Sequence, residues 1–232
     1  MLSDNYSWLL RDSVTGKLGI VDPAEAAPAI AAIETAGGRL DYIFLTHHHG
    51  DHIDGVPELV ARYAPVVVGN AADAHRLPKL DIAAHEGDLV DFGAAKARVI
   101  DTPGHTLGHI SYVFADGGIL LPGDTLFSMG CGRLFEGNAA DMFKSMRKFD
   151  DLPDETLVCC GHEYTASNAK FALTMGTENP ALQTRAKEVA ELRAAGQPTI
   201  PVTLGLERAT NPFLRASDAE ELGRLRAAKD KF

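Results

Sequence analysis

The stretch Phe44 to Gly55, FLTHHHGDHIDG, places four histidines and two aspartates in eight consecutive residues, His47 to Asp54. It follows the apolar run IFL, so a loop rich in ligating side chains leaves the end of a buried strand, where a rigid base can aim it. Alternate side chains of extended chain point the same way, which lets His47 and His49 reach one metal ion. Asp51 and His52, one turn further on, can reach a second. His48 alternates to the opposite side and, with Asp54, is left a supporting role. A purification-type histidine tract would be terminal and would carry no aspartates in fixed register.

Three later segments repeat the layout. DTPGHTLGH offers His105, LLPGDTL offers Asp124 and CCGHEYT offers His162, each after an apolar strand and a glycine. This arrangement constrains the fold more than any other feature of the chain: ligands on strand-end loops along one edge of a sheet are what a preorganised metal site requires. His109, four residues beyond His105, fits a hydrogen-bonded neighbour better than a ligand. For Asp124 the bland alternative is a turn or helix-cap aspartate. His75 and His85 lie in polar, loop-like sequence with no comparable context.

The remainder of the chain supports a soluble globular protein of 232 residues, long enough to bury a substantial core. No run of about 18 apolar residues and no signal-peptide pattern is present, so a cytoplasmic protein without membrane contact is expected. Cys131, Cys159 and Cys160 cannot all pair, and two are adjacent, which predicts reduced, mostly buried thiols. The formal charge of −10 argues against nucleic acid, since phosphate binding needs a basic surface. It does not oppose a small anion held at a local positive site. A monomer is expected.

Strand and helix signals alternate through the first two thirds. YSWLLRDS and KLGIVD read as strands, AEAAPAIAAIETAGG as a helix with a glycine stop, DYIFLT as a buried strand, GVPELVARY as a helix and PVVVG as a strand. LVDF, KARVID, HISYVFA and GILLP crowd into a sheet-rich meander. NAADMFKSMRKFDDL predicts a helix capped by Asn138 and closed by Pro153, and TLVCC a further strand. Beyond Gly161 three helical patterns follow, TASNAKFALTMG, ENPALQTRAKEVAELRAAG and SDAEELGRLRAAKDKF, with little strand between them. We place a catalytic domain at residues 1–162 and a helical C-terminal subdomain, a lid, at 163–232.

THHHGDH with the later histidine, aspartate and histidine resembles the metallo-β-lactamase superfamily. Within it LSDNYSWLL, GCGRLFEG, CGHEYT and NPFLR resemble glyoxalase II, the hydroxyacylglutathione hydrolases, over almost the whole chain. The resemblance implies an α/β fold, the αβ/βα sandwich with a dinuclear site at its edge. It assigns His47, His49 and His105 to the first metal and Asp51, His52 and His162 to the second, with Asp124 bridging. Two divalent ions are implied; nitrogen and oxygen ligands without thiolate accept zinc first, or iron or manganese. Asp51 and Asp124 would then hold the metals that activate a hydroxide.

The reaction implied is hydrolysis of S-D-lactoylglutathione to glutathione and D-lactate. A metal pair about 3.5–4 Å apart can lower the pKa of water from about 15.7 towards 7 and hold the developing oxyanion, so no serine or cysteine nucleophile is needed. A thiol leaving group, with a pKa of about 8.5, can depart as thiolate without a strong acid. The family's glutathione-holding positions read here Arg133, Phe135, Tyr164 and Arg215. Arg133 stands where lysine is usual, and Phe135 lacks a tyrosine hydroxyl, a hydrogen bond worth about 0.5–1.5 kcal/mol. Where a further basic residue often follows Arg215, this chain has Ser217 and Asp218. Surface ion pairs for the arginines and a core position for Tyr164 are the bland alternatives. Only Met1 precedes Leu2 where the family usually has a short strand, so two expectations stand: an edge strand is missing, which would leave the next one open to pairing, or the given start lies downstream of the natural one. Competing functions are another hydrolase on the same sandwich, such as a lactonase or β-lactamase, and a non-catalytic metal-binding scaffold.

Overall fold

A computed structural model describes residues 1–232, which divide into two compact units. The first comprises residues 1–101 and 108–117, the second 102–107 and 118–232.

In the first unit β1 (Trp8–Arg11) pairs antiparallel with β2 (Leu18–Val21). The chain then alternates α1 (Ala26–Thr35), β3 (Tyr42–Phe44), α2 (Gly50–Ile53), α3 (Val56–Tyr63), β4 (Val66–Asn70) and β5 (Ile82–Ala84). β2, β3, β4 and β5 run parallel in that order, with Ile20 beside Ile43 and Ile43 beside Val67. Continuous burial along β2 marks a sheet covered on both faces. Ala29 and Ile33 of α1 and Val56 and Leu59 of α3 share one core cluster with Ile20, Ile43 and Val67.

Since neighbouring strand residues face opposite ways, Phe44 turns from that cluster to the other side. There it meets a meander of β6 (Leu89–Phe92), β7 (Ala95–Asp101) and β8 (Ile110–Phe114). Its ring makes edge contacts with Phe92 at 5.8 Å, Tyr112 at 5.3 Å and Phe114 at 5.8 Å. β1 is an edge of the parallel-rich sheet. Asp12 ties the β1–β2 turn to the β6–β7 turn by accepting from the backbone N–H of Val14, Thr15, Ala94 and Ala95.

The second unit holds β9 (Ile119–Gly123), a hairpin of β10 (Leu126–Phe127) and β11 (Gly130–Cys131), α4 (Ala139–Arg147) and β12 (Leu157–Cys160). Then come α5 (Thr165–Met175), α6 (Pro180–Ala194), β13 (Val202–Thr203), α7 (Leu204–Thr210) and α8 (Ala219–Lys229). β12 lies parallel to β9 and antiparallel to β13. Met129, Ala169, Ala172, Leu182 and Val189 form the core that joins the β10–β11 turn to α5 and α6.

Asn138 caps α4 with a full capping box, its side chain bonding the N–H of Ala140 and Asp141 while Asp141 returns a bond to Asn138 N. The helix ends at Arg147, six residues before Pro153, so the proline closes the following turns and not the helix. Six short elements carry no periodic signal in the sequence: α2, β5, β10, β11, β13 and α7, the last seven residues long and interrupted by Gly205. None is long enough for a period to emerge. No helix is long and apolar enough to cross a membrane.

Candidate metal centre

β3 delivers Thr46 and His47 as buried residues two and three positions beyond its last strand residue, Phe44. His49 is the extended N-cap residue of α2, and the single turn of that helix carries Asp51 and His52. In the same unit, Asp22 follows β2 and enters the site through backbone in the left-handed region at φ 47, a conformation aspartate tolerates better than most residues. Gly55 locks the loop after α2 to the segment after Asp22. A Cβ there would lie 2.6 Å from the Pro23 carbonyl oxygen, so only glycine fits.

The hydrogen-bond network of this cluster assigns one tautomer each to His47 and His52. Asp22 Oδ1 accepts from Thr46 N at 2.8 Å and Oδ2 from Thr46 Oγ1 at 2.6 Å. Thr46 has one hydroxyl proton and gives it to Asp22, so its oxygen accepts from His47 Nδ1 at 3.0 Å. That leaves the lone pair of His47 on Nε2, which faces His49 Nδ1 at 3.0 Å. Asp22 Oδ2 also takes the Nδ1 proton of His52 at 3.0 Å, which puts the His52 lone pair on Nε2, 3.6 Å from Asp51 Oδ2. Asp22, His47 and His52 offer ligand atoms that all lie within 4.8 Å of one another. Asp51 is held by Asn5 Nδ2, which donates to its side chain at 3.0 Å and its carbonyl at 2.9 Å.

Asp22, Thr46 and Asn5 hydrogen-bond to the candidate ligands or to one another and are not among the candidate residues read from the motifs. Asp22 follows an apolar strand as Asp124 does, the one signal by which the sequence could have marked it. His48 bonds Asp73 at 3.0 Å, and His109 is fully buried with its ring stacked on His47 at 4.9 Å.

The second unit brings together the other three predicted ligands. Buried Asp124 follows β9, and its Oδ2 lies 3.5 Å from His105 Nε2 and 3.3 Å from His162 Nε2. His105 Nδ1 donates to the Arg133 carbonyl at 2.8 Å, which leaves its Nε2 as the lone-pair nitrogen. The chain passes between them only because residue 132 is glycine: a Cβ on Gly132 would lie 2.0 Å from the Asp124 carbonyl oxygen.

The donor chemistry fits a divalent ion. Imidazole nitrogens with defined lone pairs and carboxylates suit zinc, iron or manganese, and thiolates do not compete. All three cysteines are buried, and burial pushes the Cys131 thiol up to about 11 and that of Cys159 to about 12. Burial raises Cys160 further still.

The four predicted substrate residues all belong to the second unit. The exposed Phe135 ring meets that of His105 edge-on at 5.2 Å, and Tyr164 stacks parallel on His162 at 4.6 Å. Arg133 is exposed, 3.8 Å from Asp230. Arg215, also exposed, donates to the Ala209 carbonyl at 2.7 Å.

A family model described as "Metallo-beta-lactamase superfamily" matches residues 2–162, and one described as "Hydroxyacylglutathione hydrolase C-terminus" matches residues 163–232. Over 232 residues the chain is 56% identical to a hydroxyacylglutathione hydrolase of Acidiphilium cryptum, covering 100% of this chain and 94% of that protein. It is 49% identical to one of Ruegeria pomeroyi, covering 100% and 96%. Among solved structures it is similar to ETHE1 from Myxococcus xanthus, with a TM-score of 0.74, 27% identity and coverage of 97% of this chain and 86% of that one. TTHA1623 in a di-iron-bound form is similar with a TM-score of 0.64 at 25% identity, covering 90% and 94%. The fold is therefore the metallo-β-lactamase sandwich, continued by a helical C-terminal region.

Proposed function

The chain belongs to the hydroxyacylglutathione hydrolases of the metallo-β-lactamase superfamily, and from that premise we propose that it is a metal-dependent thioester hydrolase cleaving S-D-lactoylglutathione to glutathione and D-lactate. One observation carries the reading. Two family models match this single chain in succession over residues 2–232, one described as the metallo-beta-lactamase superfamily and the other as the hydroxyacylglutathione hydrolase C-terminus.

The ligand assignment is His47, His49 and His105 for one metal and Asp51, His52 and His162 for the other, with Asp124 shared. Its support lies in the lone pairs that Thr46, Asp22 and the Arg133 carbonyl place on Nε2 of His47, His52 and His105. Asp124 Oδ2 lies between two imidazoles, the position a shared carboxylate needs. Seven donors of this type support two ions, with zinc as first choice. When bound, they supply Lewis acidity that lowers the pKa of water and polarises a carbonyl oxygen.

The chain's own groups do the rest. Residues 1–162 act as the catalytic domain and residues 163–232 as the substrate-holding subdomain. Phe135 and Tyr164 set ring surfaces against His105 and His162, an apolar wall on which a bound thioester can pack. Arg133 and Arg215 supply local positive charge for the carboxylates of the peptide in a chain whose overall charge is −10. Departure of a thiol of pKa about 8.5 needs no acid from the protein.

Elemental analysis together with a thioester assay tests the assignment. About two metals per chain and turnover of lactoylglutathione are expected; metal bound with no thioesterase activity would identify a scaffold instead. Arg215→Ala is expected to raise KM for glutathione thioesters about tenfold, with little effect on a small neutral thioester. Equal effects on the two substrates would assign Arg215 a packing role.

A further inference from the structure

Glu207 of α7 is fully buried and is none of the candidate ligands or substrate residues. Its Oε1 accepts from Ser128 Oγ at 2.7 Å, and its Oε2 accepts from Met129 N at 2.7 Å and from Asn211 Nδ2 at 3.0 Å. Asn211, also fully buried, donates from the same amide nitrogen to the carbonyls of Phe127 and Gly130, each at 3.0 Å. Asn168 Nδ2 of α5 donates to the Ser128 carbonyl at 3.1 Å. The β10–β11 turn thus has its polar groups bonded to buried side chains. One of its residues, Met129, sits in the left-handed region at φ 54, where a non-glycine residue needs surroundings that hold it.

This turn adjoins every candidate ligand of its unit. Asp124 lies two residues before β10. The Phe127 ring is edge-on to His162 at 5.8 Å and to Tyr164 at 5.3 Å. After β11 the chain runs through Gly132 to Arg133, whose carbonyl receives the His105 Nδ1 proton. At the other end of the network, Asn211 Oδ1 accepts from Phe213 N at 3.0 Å and Leu214 N at 3.4 Å, folding the segment that leads to Arg215.

We propose that Glu207 is a positioning residue for the candidate centre: by clamping the 127–130 turn and Asn211 at once, it sets the orientation of His105, Asp124 and His162 and the placement of Arg133 and Arg215. The inference rests on the metal-dependent thioesterase reading and deepens it. A carboxylate that only stabilises the fold moves the melting temperature alone. A positioning carboxylate also moves metal release and substrate affinity in the folded protein.

The test uses the full-length, metal-loaded protein and its Glu207→Gln, Glu207→Ala and Ser128→Ala variants. Three quantities are read: transfer of bound metal to a chelator, KM for lactoylglutathione and KM for a small neutral thioester. In Glu207→Gln the amide oxygen keeps Met129 and Asn211 as donors, while the amide N–H faces Ser128, whose hydroxyl turns to accept, so all three quantities stay within about threefold of wild type. In Glu207→Ala metal transfer accelerates about tenfold or more, and KM for the glutathione thioester rises about tenfold, well beyond that for the neutral thioester. Ser128→Ala, which removes one bond of the clamp, moves the same quantities the same way by about two- to fivefold and decides the matter if Glu207→Ala does not fold. A lower melting temperature with unchanged metal transfer and KM overturns the proposal, as does Glu207→Gln behaving like Glu207→Ala. Wild-type protein without bound metal or thioesterase activity overturns the functional reading itself.

Discussion

One buried carboxylate, that of Asp22, is bonded to the candidate ligand His52 and, through Thr46, to the candidate ligand His47. Asp22 accepts from Thr46 N, Thr46 Oγ1 and His52 Nδ1, and through Thr46 it also fixes the tautomer of His47. Asp22→Asn turns its amide N–H either to Thr46 N–H, which breaks that bond, or to the Thr46 hydroxyl and His52 Nδ1–H together, where each imidazole gains by moving its proton to Nε2, the ligating nitrogen. Metal affinity is expected to fall about 10–100-fold, measurable by chelator competition, with far-UV circular dichroism unchanged. An affinity equal to wild type would remove Asp22 from the site. The motif at His47 to Asp54 named its own ligands because spacing along a loop is a property of sequence. Asp22 lies 30 residues before His52, and no spacing rule connects them; the parallel pairing of β2 with β3 does.

At the level of elements, the first unit is secured by a carboxylate between two turns. Backbone N–H bonds from Thr15, Ala94, Ala95 and Val14, working against a desolvation cost, lower the Asp12 pKa from 3.8 to about 2. A carboxyl with a depressed folded pKa contributes stability that is present above the unfolded value and disappears as pH falls through the folded one. Asp12→Asn is therefore expected to lower the urea midpoint near neutral pH, while its deficit against wild type shrinks between pH 3.8 and about 2. A deficit that does not change with pH would mean that the bonds act without the charge. Most elements were legible in advance, since β2, β3 and β4 are apolar runs and Asn138 and Asp141 spell a capping box. α7 was not. Its seven residues are too few for a helical period, and what stabilises it is the Thr203 cap and the burial of Leu204 and Glu207.

For the whole molecule, metal binding and folding are one equilibrium. A ligand that binds only the native state adds RT ln(1 + [L]/Kd), about 4 kcal/mol at a thousandfold excess over Kd. Removal of metal by chelation is accordingly expected to lower the melting temperature by several degrees and abolish thioesterase activity, both restored by added metal; calorimetry and the assay read them together. An unchanged melting temperature would mean that the ligand cluster does not hold the ion. The sequence by itself determined the superfamily, the seven candidate ligands and the thioester, because those reside in residue types at short spacings and in C-terminal segments such as GHEYT and NPFLR. Only the tertiary structure decided which nitrogens carry the lone pairs, that Asp22 and Thr46 set them, and that Glu207 lies beneath the β10–β11 turn. Protonation and buried hydrogen bonds depend on what the folded chain places within about 3 Å of an atom, and residues far apart in sequence meet at that distance only after the sheets have paired.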